Sequence, residues 1–355
     1  MVNNIMTRMG DGRLVYTSKE EILADIQEGM ADGADAANAP DLTADDIDNL
    51  YEIIACPYRA VGVKPGDEVV FTEDAVIQSL YADSGNCCNG VDMGRLEASL
   101  VLERAMAIDT VELAHVDYSI KAVKPVIAYE AQAMEEISMN TTLPYLYGAM
   151  PNMGLYYAPD GPHGNPADLM REFRIEEAQT AMVNAADQLT TDIEYVASAM
   201  FDAGAEGFNF DTVGSAGDGD LLGTLRGIEA LRKEYPDVYI NLGMASENVI
   251  GIHGELDFHG KTLAGIYPNE QVKLAEMVGA NIFGAVVNAN TSKSLAWNIA
   301  RAAVIVKDCV KNSNIPVHVD QGMGVGGVPM SECPAVDAVS RANKALIEIA
   351  HVDGI

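Results

Sequence analysis

From about residue 105 onward, short apolar runs rich in Val, Ile and Phe alternate with helix-length amphipathic stretches, the pattern of βα units around a parallel sheet. The runs start near Thr110, Leu143, Ala205, Tyr239, Ala280, Ile315 and His351. Successive starts lie one strand, one helix and two turns apart, except between Leu143 and Ala205. That longer interval holds residues 151–166, dense in Gly, Pro and Tyr, which read equally as a lid over an active site or as a surface Ω-loop. Before residue 105 the pattern is mainly helical and irregular. An acidic helix is expected over 19–30 and a second one after Thr43, which opens the capping box Thr43-Ala-Asp-Asp46.

Three helix-to-strand junctions look alike: Ala203-Gly-Ala-Glu-Gly-Phe-Asn-Phe-Asp211, Val278-Gly-Ala-Asn-Ile-Phe-Gly284 and Ile349-Ala-His-Val-Asp-Gly-Ile355. The first two run on to the C-terminal end of a strand, where a barrel keeps its catalytic groups, and the third stops at Ile355. The expected fold is therefore α/β, a (β/α)8 TIM-type barrel over residues 106–355 that is incomplete at its C-terminus. An N-terminal helical and irregular extension over residues 1–105 is expected to pack on it. A chain ending inside a central strand would leave its ladder unpaired. Either the chain was trimmed, or a stop triplet was met that the organism itself reads as an amino acid.

Composition narrows the function classes. With 22 Lys+Arg against 53 Asp+Glu the formal charge is −31, which repels phosphate backbones and anionic lipid, so no nucleic-acid or membrane partner is expected. The same excess suits a salt-rich cytosol, where carboxylates hold water and counter-ions screen their repulsion. The most apolar stretch, residues 296–310, is broken by Asn298, Arg301, Lys307 and Asp308, and the N-terminus lacks the regions of a secretory signal, so a cytoplasmic protein is expected. The 5 cysteines, Cys56, Cys87, Cys88, Cys309 and Cys333, form no C-x-x-C pair and read as free thiols. His318 sits inside an apolar strand as a core residue, and His253 with Glu255 lacks the second histidine of H-E-x-x-H, so no metal site is indicated.

Several segments together resemble the dimethylamine:corrinoid methyltransferases of methanogenic archaea, whose in-frame amber codon is read as pyrrolysine. The likeness runs through Arg8-Met-Gly-Asp-Gly12, Glu112-Leu-Ala-His-Val-Asp-Tyr-Ser119, Gly148-Ala-Met-Pro-Asn-Met-Gly-Leu-Tyr-Tyr157 and Asn209-Phe-Asp-Thr212. It continues through His253-Gly-Glu255, Val286-Val-Asn-Ala-Asn-Thr-Ser-Lys293, Gly322-Met-Gly-Val-Gly-Gly-Val-Pro-Met330 and Val352-Asp-Gly-Ile355. The resemblance implies transfer of a methyl group from dimethylamine to Co(I) of a cognate corrinoid protein, with release of monomethylamine. No cofactor would be bound directly, the corrinoid being carried by that partner, and a homo-oligomer is expected. It also implies that the pyrrolysine follows Ile355 and is absent from the chain as read, which would leave this chain inactive.

In that family an amine nitrogen is thought to add to the imine of the pyrrolysine ring, so a site holding a cationic adduct needs carboxylates and amides at strand C-termini. By position, Asp211, Glu247 and Gln321 are the expected supporting catalytic groups. The substrate and corrinoid pocket is expected to draw on His115, Asp117, Tyr147, Asn288, Gly324 and Gly326, with Tyr118, Tyr156 and Tyr157 nearby or simply packing. Each strand-end polar group could instead cap the next helix, Asp211 before Thr212 and Asn288 before Thr291 being examples. Gly322-Met-Gly-Val-Gly-Gly327 fits G-x-G-x-x-G, but Pro329 and Pro334 defer the next helix, and contact with the corrinoid edge is the stronger reading. Gly214-Ser-Ala-Gly-Asp-Gly-Asp220 reads as a flexible rim loop. A different enzyme class, a barrel lyase or aldolase with Lys293 as Schiff-base lysine, stays open, as does an inactive fragment.

Overall fold

The computed structural model describes residues 5–69, 78–80, 91–93, 123–125, 146–151, 153–202, 205, 207–244, 254–285, 287, 291–319, 321, 324–331 and 334–355. The chain divides into two compact units, Met1–Glu112 with Ala285–Ile355, and Leu113–Gly284.

In the second unit, strands β6 (Leu146–Pro151), β7 (Gly207–Val213), β8 (Tyr239–Met244) and β11 (Ile282–Gly284) are parallel neighbours in chain order. Between them run α4 (Ile175–Asp202), α5 (Asp218–Glu234) and α6 (Pro268–Met277). A sheet whose order follows the chain without reversal is wound in one direction, as in a barrel, whereas a doubly wound sheet reverses at a switch point. One short strand, β5 (Val123–Pro125), pairs antiparallel with β6. The class is thus α/β with a parallel sheet, and the strands begin within three residues of the apolar runs at Leu143, Ala205, Tyr239 and Ala280. The run at Thr110 lies outside the described residues.

Helix α4 buries Ala178, Ala181, Met182, Ala185, Leu189 and Ile193, a stripe at helical spacing. It meets α5 at small residues: a Cβ on Gly223 would sit 2.8 Å from the Ala186 carbonyl oxygen, and one on Gly227 2.8 Å from the Ile193 side chain. A short helix, α3 (Pro166–Arg171), leads into α4.

In the first unit, α1 (Lys19–Ala37), α2 (Ala44–Ala55), α7 (Leu295–Asn312) and α8 (Val336–Ala345) share one core of Ile22, Ile26, Leu50, Ile53, Ile299, Val304 and Val339. The Thr43–Asp46 capping box forms as its spacing predicts, and Ser18 with Glu21 forms another at the start of α1. A buried guanidinium closes α2: Arg341 donates to the carbonyls of Ile54, Cys56 and Tyr58 past the helix C-terminus, where the dipole favours a cation. Strand β12 (Val317–His318) bridges in parallel to Gly354, so the runs at Ile315 and His351 are neighbours in this unit.

One element escaped the sequence. Strands β1 (Ile5–Arg8) and β2 (Leu14–Thr17) form an antiparallel hairpin whose turn is the Arg8-Met-Gly-Asp-Gly12 motif. The Gly10 N–H donates to Lys293 at 2.7 Å and its carbonyl accepts from Met330, while Arg8 pairs with Asp337 at 2.7 Å and donates to Gly12. The motif is a latch between segments far apart in sequence. A second two-stranded pair, β3 (Gln78–Leu80) with β4 (Val91–Met93), also belongs to this unit, and β9 (Asp257–Phe258) with β10 (Lys261–Thr262) to the other.

No helix among the described residues is long and apolar enough to cross a membrane. Helix α7, which contains the 296–310 stretch, instead buries Trp297, Ile299, Val304, Ile305 and Val306 within its unit.

Candidate active site

Beyond the C-terminal end of β7 lies a buried acidic pair, in a segment whose composition predicts a flexible rim loop. Residues 214–217 form a tight turn from β7 into α5, with Gly214 and Gly217 at positive φ (88° and 112°), and Asp218 and Asp220 occupy the first turn of the helix. The loop is not flexible, because both carboxylates turn inward, 0% and 1% exposed, and take up backbone N–H groups. Asp218 accepts from Gly254 at 2.8 Å and from Leu256 at 3.0 Å, holding the segment that follows β8. Asp220 accepts from Gly214 at 3.1 Å and Ala216 at 3.3 Å through one oxygen, and its other oxygen has no partner among the described residues. Burial raises the Asp220 carboxyl from its ordinary range to about 7, against the pull of those two N–H groups.

The Gly-, Pro- and Tyr-rich segment after β6 closes on itself through the Tyr157–His163 bridge and the Ala158 to His163 hydrogen bond at 2.7 Å. Tyr156 is buried and donates to Asp192 of α4 at 2.8 Å, so it anchors the segment. Tyr157 points elsewhere: its hydroxyl lies 3.5 Å from where a Cβ on Gly219 would stand. Burial first, then the charges of Asp220 and Asp218, push its phenol far up. One of the paired tyrosines thus packs and the other reaches the acids.

In the other unit Gln321 follows β12 and is 5% exposed, yet among the described residues neither its amide nitrogen nor its oxygen has a partner. The glycine loop stands against it. Gly324 and Gly326 take positive φ (86° and 66°), the Gly326 N–H donates to Val287 at 2.9 Å, and a Cβ on Gly326 would fall 2.5 Å from the Gln321 Nε2. The next helix starts only at Val336, so the glycines do not open a helix and the dinucleotide fingerprint lacks its anion site.

Of the remaining expected residues, Asp211 lies in β7 and Tyr147 in β6, with side chains outside the described residues. His115, Asp117, Tyr118, Glu247, His253 and Asn288 lie wholly outside them. The capping alternatives are resolved by backbone: α5 is capped at Gly217, well past Asp211, and α7 by Ser294, well past Asn288. His318 is buried and burial lowers it to about 4, a core histidine kept neutral. Lys293 is exposed, pairs with Glu28 at 3.3 Å and sits over the Trp297 ring, the opposite of the desolvated setting that activates a Schiff-base lysine. Cys309 is buried and Cys56 half-buried, both free thiols. Among the described residues no His, Cys, Asp or Glu cluster could hold a metal ion.

Parallel strands in chain order, with the buried Asp218 and Asp220 following β7 and Tyr157 following β6, are the arrangement of an α/β enzyme. The chain belongs to the dimethylamine methyltransferase (Dimeth_PyL) family, whose profile matches residues 3–355. It is a methyltransferase. No solved structure matches the chain.

Proposed function

We propose that the protein transfers a methyl group from dimethylamine to the cobalt of a corrinoid carried by a cognate partner protein, in the cytoplasm, as a homo-oligomer, and releases monomethylamine. The family match over residues 3–355 carries this reading. The one-directional strand order supports closure of the sheet as a (β/α)8 barrel with the working groups on its C-terminal face. A corrinoid bound on its partner would supply a low-valent cobalt nucleophile.

The chain's own residues position and charge the amine. Asp211, Glu247 and Gln321 are the supporting groups. Gln321 fits a ligand on this structure's own terms: a buried amide with both ends unpartnered costs about 1–3 kcal/mol per group until a donor and an acceptor are brought to it. Gly326 leaves room for that approach, since any side chain there would strike the amide. Asp218 holds the segment after β8 in place through its three backbone hydrogen bonds.

The test is methylation of cobalt. The protein isolated from its native cells, mixed with its reduced corrinoid protein, should convert the Co(I) spectrum to methyl-Co(III) on addition of dimethylamine, with one monomethylamine per cobalt; no amine-dependent change would overturn the reading. Gln321→Ala should lower the rate by about tenfold or more, as expected for loss of one positioned hydrogen-bonding group. Lys293→Met should leave it unchanged, and borohydride should trap no carbonyl substrate on the protein.

A further inference from the structure

Resting on the reading above, we propose that Asp220 and Tyr157 form the subsite that recognises the amine as its alkylammonium cation, with Asp218 as the anchor that fixes the pair. The argument starts from what each carboxylate still lacks. Asp218 is saturated, both oxygens taking backbone N–H groups of residues 254 and 256. Asp220 is half saturated: one oxygen takes two N–H groups of the β7–α5 turn, and the other is buried with no partner among the described residues. A buried carboxylate edge without a hydrogen bond is costly, and it is relieved by a proton or by a cation. Tyr157 stands beside it, its hydroxyl against Gly219 between the two acids. Carboxylate plus aromatic ring is the pairing that methylated ammonium groups select, the ring taking the methyl-bearing face and the carboxylate the N–H. The pair also lies past the strand C-termini of its unit, where the fold class keeps its chemistry.

The groups that face Asp220 come from several elements. From the segment after β6 comes Tyr157, pushed far up, and from its own helix Asp218, already saturated. Helix α4 brings Met182 to Gly219, the turn brings the N–H groups of Gly214 and Ala216, and Glu255 after β8 faces solvent. Without ligand the unpartnered oxygen takes a proton, consistent with a carboxyl raised to about 7. An arriving ammonium displaces that proton to solvent, so charge balances: one proton leaves as one cation binds.

Calorimetric titration of the protein with dimethylammonium chloride, in buffers of different ionisation heat, reads this directly. Affinity should fall about tenfold from pH 8 to pH 6, with proton release approaching one per cation at the acid end. Asp220→Asn keeps an oxygen for the turn and removes the charge; it should weaken binding by about 30-fold and flatten the pH dependence. Tyr157→Leu should weaken binding several-fold at every pH, as loss of a ring beside a cation does. Wild-type binding that is independent of pH, or is left intact by Asp220→Asn, overturns the subsite while the methyltransfer reading stands. No binding of dimethylammonium by the wild type overturns the subsite together with the substrate it rests on. The wild-type pH series needs no variant, so a folding failure of either substitution does not blunt the test.

Discussion

Asp220 and His318 are buried titratable side chains shifted in opposite senses, and their effects on stability oppose each other. Asp220, raised from 3.8 to about 7, contributes stability that is full below the unfolded value and is lost as pH rises through the folded one. His318, lowered from 6.5 to about 4, contributes stability that is full above the unfolded value and is lost as pH falls toward the folded one. Between about pH 4 and 6.5 the two slopes oppose, each worth on the order of 3 kcal/mol across its window. Asp220→Asn should therefore expose the histidine's slope, and urea midpoints that decline more steeply than wild type as pH falls through that window would show it; parallel profiles would count against the assignment. The acids themselves were hidden in plain view. Gly214-Ser-Ala-Gly-Asp-Gly-Asp220 carries the signal, acidic residues in the first turn of a helix after a glycine turn, but polarity alone pointed them to solvent. Only the backbone N–H groups of residues 214, 216, 254 and 256, brought together by the fold, make their burial tolerable.

At the scale of elements, backbones approach closely wherever a glycine permits. A Cβ on Gly29 of α1 would stand 2.1 Å from the Trp297 carbonyl oxygen of α7, and one on Gly33 2.7 Å from that of Arg301. Gly29→Ala gains helix propensity of roughly 1 kcal/mol but forces the helices apart, so a net loss of about 2 kcal/mol in chemical denaturation is expected. Gly62→Ala, with nothing within 4 Å of the added methyl, is the matched control and should be near neutral. The elements themselves were largely legible. Thr43 and Asp46 cap α2 because a local side-chain and backbone exchange needs no tertiary help, and β7 announces itself as an apolar run whose described residues are buried on both faces. The β1–β2 hairpin was not legible: of its first strand only Thr7 is buried, so it shows no clear alternation, and its turn is fixed by residues 293 and 330. Similarity of Arg8-Met-Gly-Asp-Gly12 to a family motif pointed to importance, and the contacts show that importance to be architectural.

For the whole molecule, a charge of −31 sets self-repulsion against folding, and few lysines are present to offset it. Raising salt from about 0.1 M to about 1 M shortens the Debye length from about 10 Å to 3 Å, and the melting temperature should rise by several degrees. A melting temperature that is flat or falls over that range would show that local ion pairs such as Arg8–Asp337, rather than net repulsion, dominate the response to salt.

The sequence by itself determined the α/β class, the positions of the parallel strands and of the first two helices, and the family, because periodicity, caps and motifs are properties of neighbours along the chain. What only the tertiary structure decided is which polar groups lie buried and what each still lacks: Asp218 satisfied, Asp220 half satisfied, Gln321 with both amide ends unpartnered, Lys293 exposed and paired. Burial and hydrogen-bond satisfaction depend on segments distant in sequence meeting in space, and no local pattern of residues encodes that meeting.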